Sequence, residues 1–481
     1  MGTMTDTLFV KHVPGSPPKI TGGGVAYGSE RPLIEQAQVC SDGASLTLET
    51  DLFASRPLHV LVRDGTLWAA STLKRLTQER DLPHGFLSMG ACVALAVAPA
   101  RRPSLCASGL SLLPNTKSVS EAGKIRTQPG SRVDVLANAL LLGLLKQALA
   151  RRVAGNSVAL ALSGGFDSAA LLALLTEMGV TVRAYTMADS AAAGEIEAAA
   201  AIAKHFGAAH EIIEVREESL PELADSTIRA CEILIYNARA MAKFAFHLEV
   251  AKRERVLLSG VGADDLFMGD PAALALTRQG IPQFVARLLP EVDLAMFFLR
   301  SEWSKRVKQP DWRRDFSGAN SMNASRNLVL RTLLPHSGLP VEMLTAATHG
   351  LEVRAPFLDR DVAAFALAQS EEQLVRDGHG KWLLRDALAD LLPREVCFAA
   401  KTAKLAPPGG NTTRARRDWI AWLDRALAYD RLERLEVIDS GRVRRELIQY
   451  GKLHNEAPRR VLLDRVLMKL ASLTVLQEYW A

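Results

Sequence analysis

The run Val158-Ala159-Leu160-Ala161-Leu162-Ser163-Gly164-Gly165-Phe166-Asp167-Ser168 decides how the middle of this chain folds. Residues 158–162 are a short apolar strand candidate, two glycines follow, and residues 168–178, closed by Gly179, have the composition of a helix. The unit is strand, turn, helix. It recurs downstream, with residues 180–187 as strand, 191–205 as helix, 210–215 as strand and, after a long helical region, 256–258 as strand. Strands alternating with helices predict a parallel sheet covered on both faces. In such sheets ligands bind beyond the carboxyl ends of the strands, and a glycine-rich turn into a helix presents free backbone N–H groups to phosphate. Gly164 and Gly165 let the backbone approach a phosphate, Ser163 and Ser168 carry donor hydroxyls, and Asp167 can hold Mg²⁺. The loop is not of the Walker A type, because no GxxxxGK(S/T) occurs in the chain.

Outward from this unit, residues 1–130 read as a β-rich domain of short strands, among them 45–48 and 58–62, punctuated by turns rich in glycine and proline. The polar stretch 115–132, with Pro129-Gly130 near its end, is the expected boundary before an apolar helical pattern over 133–149. Residues 131–481 form the second unit, helical in period after about residue 270. At 481 residues, two or three domains are expected. A composition of 48% hydrophobic and 23% charged residues excludes disordered and fibrous classes. A net charge of +5 on so long a chain suits a polyanion such as ATP but does not point to nucleic acid. Five scattered cysteines without CxxC spacing fit a reducing cytoplasm, and no apolar run is long enough to span a membrane.

The hexapeptide from Ser163 to Ser168 resembles the SGGxDS pyrophosphatase loop of the asparagine synthetase superfamily, and four further stretches match in order. Glu195-Ile196-Glu197-Ala198 with Ile202-Ala203 resembles the helix after the second strand. Leu258-Ser259-Gly260-Val261-Gly262-Ala263-Asp264-Asp265-Leu266-Phe267 resembles the LSGxGxDE segment. Gly350-Leu351-Glu352-Val353-Arg354-Ala355-Pro356-Phe357-Leu358-Asp359 is close to LEVRxPFLD, and Lys381-Trp382-Leu383-Leu384-Arg385 to KWxLR. The motifs cover about residues 133–410; over residues 1–130 the likeness is loose.

The resemblance implies an α/β protein: a glutaminase-like, β-rich remnant followed by a parallel-sheet ATP-pyrophosphatase domain with a helical C-terminal part. It implies ATP and Mg²⁺ as cofactors, with Asp167 and Asp264 on the metal, and Leu162, Met187, Ser259 and Gly260 around adenine and ribose. Lys381 and Lys401 fall where related ligases place lysines on pyrophosphate and acyl-adenylate, with Lys404 a weaker candidate. A carboxylate would attack the α-phosphorus, pyrophosphate would leave, and an amine would displace AMP.

Three departures refine the expectation. Glutamine-using asparagine synthetases carry a nucleophilic Cys directly after the initiator Met; here that position is Gly2, and no cysteine occurs in the first 39 residues. Val261 stands where asparagine synthetases place Glu and β-lactam synthetase places Tyr, and the KxDR pattern before LEVRAPFLD is missing. Within the superfamily the combination is most similar to lasso peptide cyclases, which join a peptide's N-terminal amine to an internal Asp or Glu side chain. The implied partners are a precursor peptide and, as further candidates, a leader peptidase and a leader-binding protein, in antibiotic biosynthesis. The alternatives are a β-lactam or carbapenam-type synthetase, another small-molecule amide ligase, and a non-catalytic scaffold that binds ATP or peptide.

Overall fold

The computed structural model describes residues 9–13, 16, 19–21, 38–41, 45–50, 53, 57–63, 66–77, 109–111, 116–121, 124–129, 141–188, 193–305, 321–336, 338–399, 412–454 and 457–480. The N-terminal part holds two antiparallel sheets. One has the order β2 (Lys19–Thr21), β1 (Phe9–His12), β6 (Thr66–Ala70), β5 (His59–Arg63), β7 (Gly109–Ser111); the other runs β3 (Gln38–Ser41), β4 (Ser45–Glu49), β8 (Thr116–Glu121), β9 (Lys124–Pro129). Side chains alternate across a strand, so each strand of the first sheet can serve two cores. Val10, Val60, Leu67 and Ala69 meet Val39, Leu46 and Leu48 of the second sheet. Their neighbours Phe9, Leu61, Trp68 and Ala70 face the other way, onto the C-terminal helices. The polar stretch expected to be a boundary is instead largely the β8–β9 pair, in register from Thr116↔Pro129 to Glu121↔Lys124.

Beyond the helix Leu141–Ala150 lies a second five-stranded sheet, all parallel, in the order β12 (Ala209–Glu214), β11 (Thr181–Ala188), β10 (Ser157–Ala161), β13 (Val256–Leu258), β14 (Glu352–Arg354). The first four strands lie where the sequence puts them. The fifth comes from the LEVRAPFLD segment; at three residues it is too short to show a period. The chain builds from β10 toward β12 on one side and returns through β13 to β14 on the other. The loops after β10 and β13 therefore diverge and open a crevice at the carboxyl edge, the switch point where such sheets bind ligands.

The helix Phe166–Glu177, which leaves the β10 loop, is buried over Ser168–Leu175 on every face, in agreement with its unbroken Ala/Leu composition. Each buried leucine there stabilises the fold by about 1.5–3 kcal/mol relative to exposure. In the C-terminal part, helices Thr413–Ala426, Ser440–Lys452 and Pro458–Trp480 pack with Leu220–Cys231 and with the outer face of the first sheet. Glu232 fastens this junction: its buried carboxylate accepts from the backbone N–H groups of Leu73 (2.5 Å) and Lys74 (2.9 Å) and from the Trp480 indole (3.0 Å). Among the described residues no helix is long and apolar enough to cross a membrane.

Candidate active site

The loop after β10 is shaped from within. The Ser163 N–H donates to Ser168 Oγ (3.1 Å), which in turn donates to the Gly165 carbonyl (3.1 Å). Ser168 is 3% exposed, so its hydroxyl closes the loop, while Ser163 and Gly165 remain at the surface. Gly164 is required on two counts: its φ is +69°, and a Cβ there would stand 2.5 Å from the Glu195 carbonyl. The loop thus rests on the start of helix Ala193–His205, whose Ala198 and Ala199 are small enough to admit it.

The second turn, after β13, lies directly beside the first, since a Cβ on Gly260 would be 3.1 Å from Asp167 Cβ. The short helix Ala263–Leu266 then carries Asp264 toward the crevice. Arg326, 1% exposed, holds this helix by donating to the carbonyls of Leu266 (3.1 Å) and Ala366 (2.9 Å).

Lys381 joins the two turns. Its ammonium lies 2.6 Å and 2.7 Å from the Asp167 carboxylate oxygens and 2.6 Å from Asp264 Oδ1. Its backbone has a left-handed φ of 60°, which costs an L-residue roughly 1–2 kcal/mol, and is held there by its N–H donating to the Phe267 carbonyl at 2.8 Å. Burial works against the Lys381 charge, but the two carboxylates outweigh it and hold the ammonium above its ordinary range. Two carboxylates converging on one cation position form a hard-oxygen donor set, which suits a Mg²⁺ bound through one or two carboxylates plus substrate phosphates. Among the described residues no group of three or more His, Cys, Asp or Glu forms a self-sufficient metal cage.

Of the remaining expected residues, Leu162, Met187 and Ser259 lie at or just beyond the carboxyl ends of β10, β11 and β13. Leu162 is 1% exposed, with its N–H on the Tyr185 carbonyl and its own carbonyl accepting from Thr186 Oγ1 at 2.7 Å, so its side chain belongs to the core. Met187, near the end of β11, is half-buried. Ser259 donates to Glu342 Oε1 at 2.7 Å, and Glu342 is ion-paired with Lys243. Only Glu342 of this pair is buried, and its one trace in the sequence is a lone acidic residue in the apolar helix Gly338–Ala347. Beside it, His247 Nδ1 contacts Thr345 Oγ1 at 2.8 Å, and burial, followed by the nearby Lys243 charge, pushes this imidazole well below its usual pKa. The charges of LEVRAPFLD act on the scaffold: Asp359 binds Arg151 (2.6 Å) and Arg152 (2.7 Å), and Arg354 donates to the Arg152 carbonyl. Lys401 and Lys404 lie outside the described residues, as does Gly2.

Comparison with known proteins agrees with this arrangement. Relatives include the glutamine-hydrolyzing asparagine synthetases of Gallus gallus, 28% identical over 265 residues, and Homo sapiens, 26% over 291. These alignments take in 53% and 57% of this chain but only 40% and 44% of the relatives, so the chain spans less than half the length of the asparagine synthetases it matches. The carboxyethyl-arginine beta-lactam-synthase of Streptomyces clavuligerus is 25% identical over 449 residues, covering 91% of this chain and 75% of that protein. The model of the asparagine synthase family matches residues 140–474, from the helix before β10 almost to the end of the last helix, and the chain belongs to that family.

Proposed function

We propose that this protein is an ATP-dependent carbon–nitrogen ligase that activates a carboxylate as an acyl-adenylate and releases AMP and pyrophosphate. The observation that carries this reading is the convergence of Asp167, Asp264 and Lys381 at the carboxyl edge of the parallel sheet, beside the glycine-rich turn 163–168. The 163–168 loop offers backbone N–H groups at the start of a helix to a phosphate. Mg²⁺, when held by Asp167 and Asp264, would neutralise triphosphate charge. Lys381 would turn its ammonium from the carboxylates to the departing pyrophosphate. Lys401 is proposed as a second cation for the acyl-adenylate.

We further propose that the carboxylate is an Asp or Glu side chain of a precursor peptide and that the amine is the same peptide's N-terminus, so that the product is a macrolactam. Val261 supports this, because valine at the turn after β13 can neither accept nor relay a proton from free ammonia. An amine tethered to the acyl-adenylate gains most of its rate from proximity and depends less on a dedicated base. The N-terminal two-sheet domain is proposed as a glutaminase-like remnant kept for structure or peptide contact. A second reading, a β-lactam-type synthetase, is favoured by the alignment over 91% of this chain with the beta-lactam-synthase. It too would close an amide within one substrate.

Nucleotide product analysis tests the reaction class. With a competent acceptor, ATP should be converted to AMP and pyrophosphate in equal amounts, and Asp167→Ala should abolish both. Formation of ADP and phosphate would rule out adenylation.

A further inference from the structure

Three chain segments meet beside the site: the loop with Asp167, the turn with Lys381, and the end of the short helix Arg394–Cys397. One side chain, Arg385, touches all three. Its Nε donates to the Gly380 carbonyl at 2.9 Å, an Nη donates to the Cys397 carbonyl, and its guanidinium lies 5.0 Å from the centre of the Phe166 ring. The Cys397 thiol closes the contact by donating to the Arg385 carbonyl at 3.2 Å. Arg385 is 7% exposed, and its described side-chain hydrogen bonds go to main-chain carbonyls, not to Asp167 or Asp264.

A buried guanidinium that merely filled space would be costly, since a methionine of similar volume needs no desolvation. What arginine adds is a planar fork, able to satisfy two carbonyls in fixed directions while stacking on a ring; the point charge of lysine cannot do this. The Gly380 carbonyl sits next to the strained Lys381 backbone, so the Nε contact sets the direction from which the Lys381 side chain enters. The Phe166 ring immediately precedes Asp167. The Cys397 carbonyl anchors the end of the short helix Arg394–Cys397 to the same guanidinium.

We propose that Arg385 is a positioning residue for the triphosphate half of the nucleotide site. It locks the Lys381 turn and the helix end at Cys397 against Phe166-Asp167, and it acts on the β- and γ-phosphates without touching them. This rests on the ATP-using reading above but not on the identity of the acceptor.

The test compares MgATP and AMP affinities by calorimetry on the full chain, with melting temperatures in parallel, for the wild type, Arg385→Lys and Arg385→Met. AMP serves as the internal control because it lacks the two outer phosphates. Supporting residues of this kind typically govern about 10- to 100-fold in affinity. Arg385→Lys is expected to weaken MgATP about tenfold and Arg385→Met about thirtyfold, each leaving AMP nearly unchanged. Arg385→Lys keeps the charge and most of the volume, so it remains informative if Arg385→Met does not fold. Equal weakening of both nucleotides, or unchanged MgATP affinity in a folded variant, would overturn the proposal. A wild type that binds neither nucleotide would instead refute the ATP reading on which it stands.

Discussion

Replacing Lys381 by methionine should make the protein a better Mg²⁺ binder without nucleotide and a worse enzyme. Lys381 Nζ lies 2.6 Å from an oxygen of Asp167 and 2.6 Å from one of Asp264, so those oxygens are at most about 5 Å apart. With their shared cation removed, two unit charges at about 5 Å and an effective dielectric near 20 repel by about 3 kcal/mol. The Asp264 side chain is 39% exposed, so water screens part of this, and about 1.5 kcal/mol is a fairer figure. That corresponds to roughly tenfold tighter Mg²⁺ binding without nucleotide. Titration calorimetry with MgCl₂ reads it directly, and a larger Mg²⁺-induced rise in melting temperature for Lys381→Met than for wild type provides a second readout. ATP turnover should fall about 10²- to 10³-fold, as when one preorganised charge donor is lost. If Lys381→Met binds Mg²⁺ no more tightly than the wild type, the lysine and the metal do not share Asp167 and Asp264, and the metal assignment fails.

Further predictions concern the scaffold. Glu232→Ala leaves two helix-start N–H groups and the Trp480 indole without their acceptor and should cost about 3–5 kcal/mol, read as a lower urea midpoint; a loss under about 1 kcal/mol would show that the junction is held mainly by its apolar contacts. Burial raises the Asp464 carboxyl to about 7, against the opposing pull of Tyr450, Arg460 and Arg416. The native state then holds this proton more tightly than the unfolded chain, so its stabilising contribution is full below about pH 4 and is lost as pH climbs to about 7. Asp464→Asn should therefore flatten the fall in melting temperature between pH 5 and 7, and a variant with the wild-type slope would contradict the assignment. Gly164→Ala, which strains a φ of +69° and presses on the Glu195 carbonyl, should cost about 1–3 kcal/mol and weaken MgATP binding; full retention of both would mean that the loop adapts freely.

What the sequence reveals is local. The β10 unit is legible because a continuous apolar run, two glycines and an Ala/Leu helix all indicate one structure. The β8–β9 pair reads as a linker because Thr116-Lys117-Ser118-Val119-Ser120-Glu121 lacks alternating apolar residues. β14 is hidden by its length and is fixed only by its register with β13, from Val256↔Glu352 to Leu258↔Arg354. In the site, Asp167, Asp264 and Lys381 come from three distant motifs that resemblance could name and that only the fold unites. Long-range polar pairing leaves no local period, so Lys243–Glu342 and the grip of Arg385 on Gly380 and Cys397 were not readable. Ser168 was legible as a loop residue, but the direction of its hydroxyl was not.

The most direct test of the central claim is mass spectrometry of linear peptides, each with a free N-terminal amine and an internal Asp or Glu, after incubation with the protein and MgATP. The account predicts loss of one water from a competent peptide, matched by equal AMP and pyrophosphate and absent with Asp167→Ala. Pyrophosphate release with a small amino acid derivative but no dehydrated peptide would contradict the macrolactam claim and favour the β-lactam-type reading. ATP cleavage to ADP with any acceptor would contradict adenylation itself.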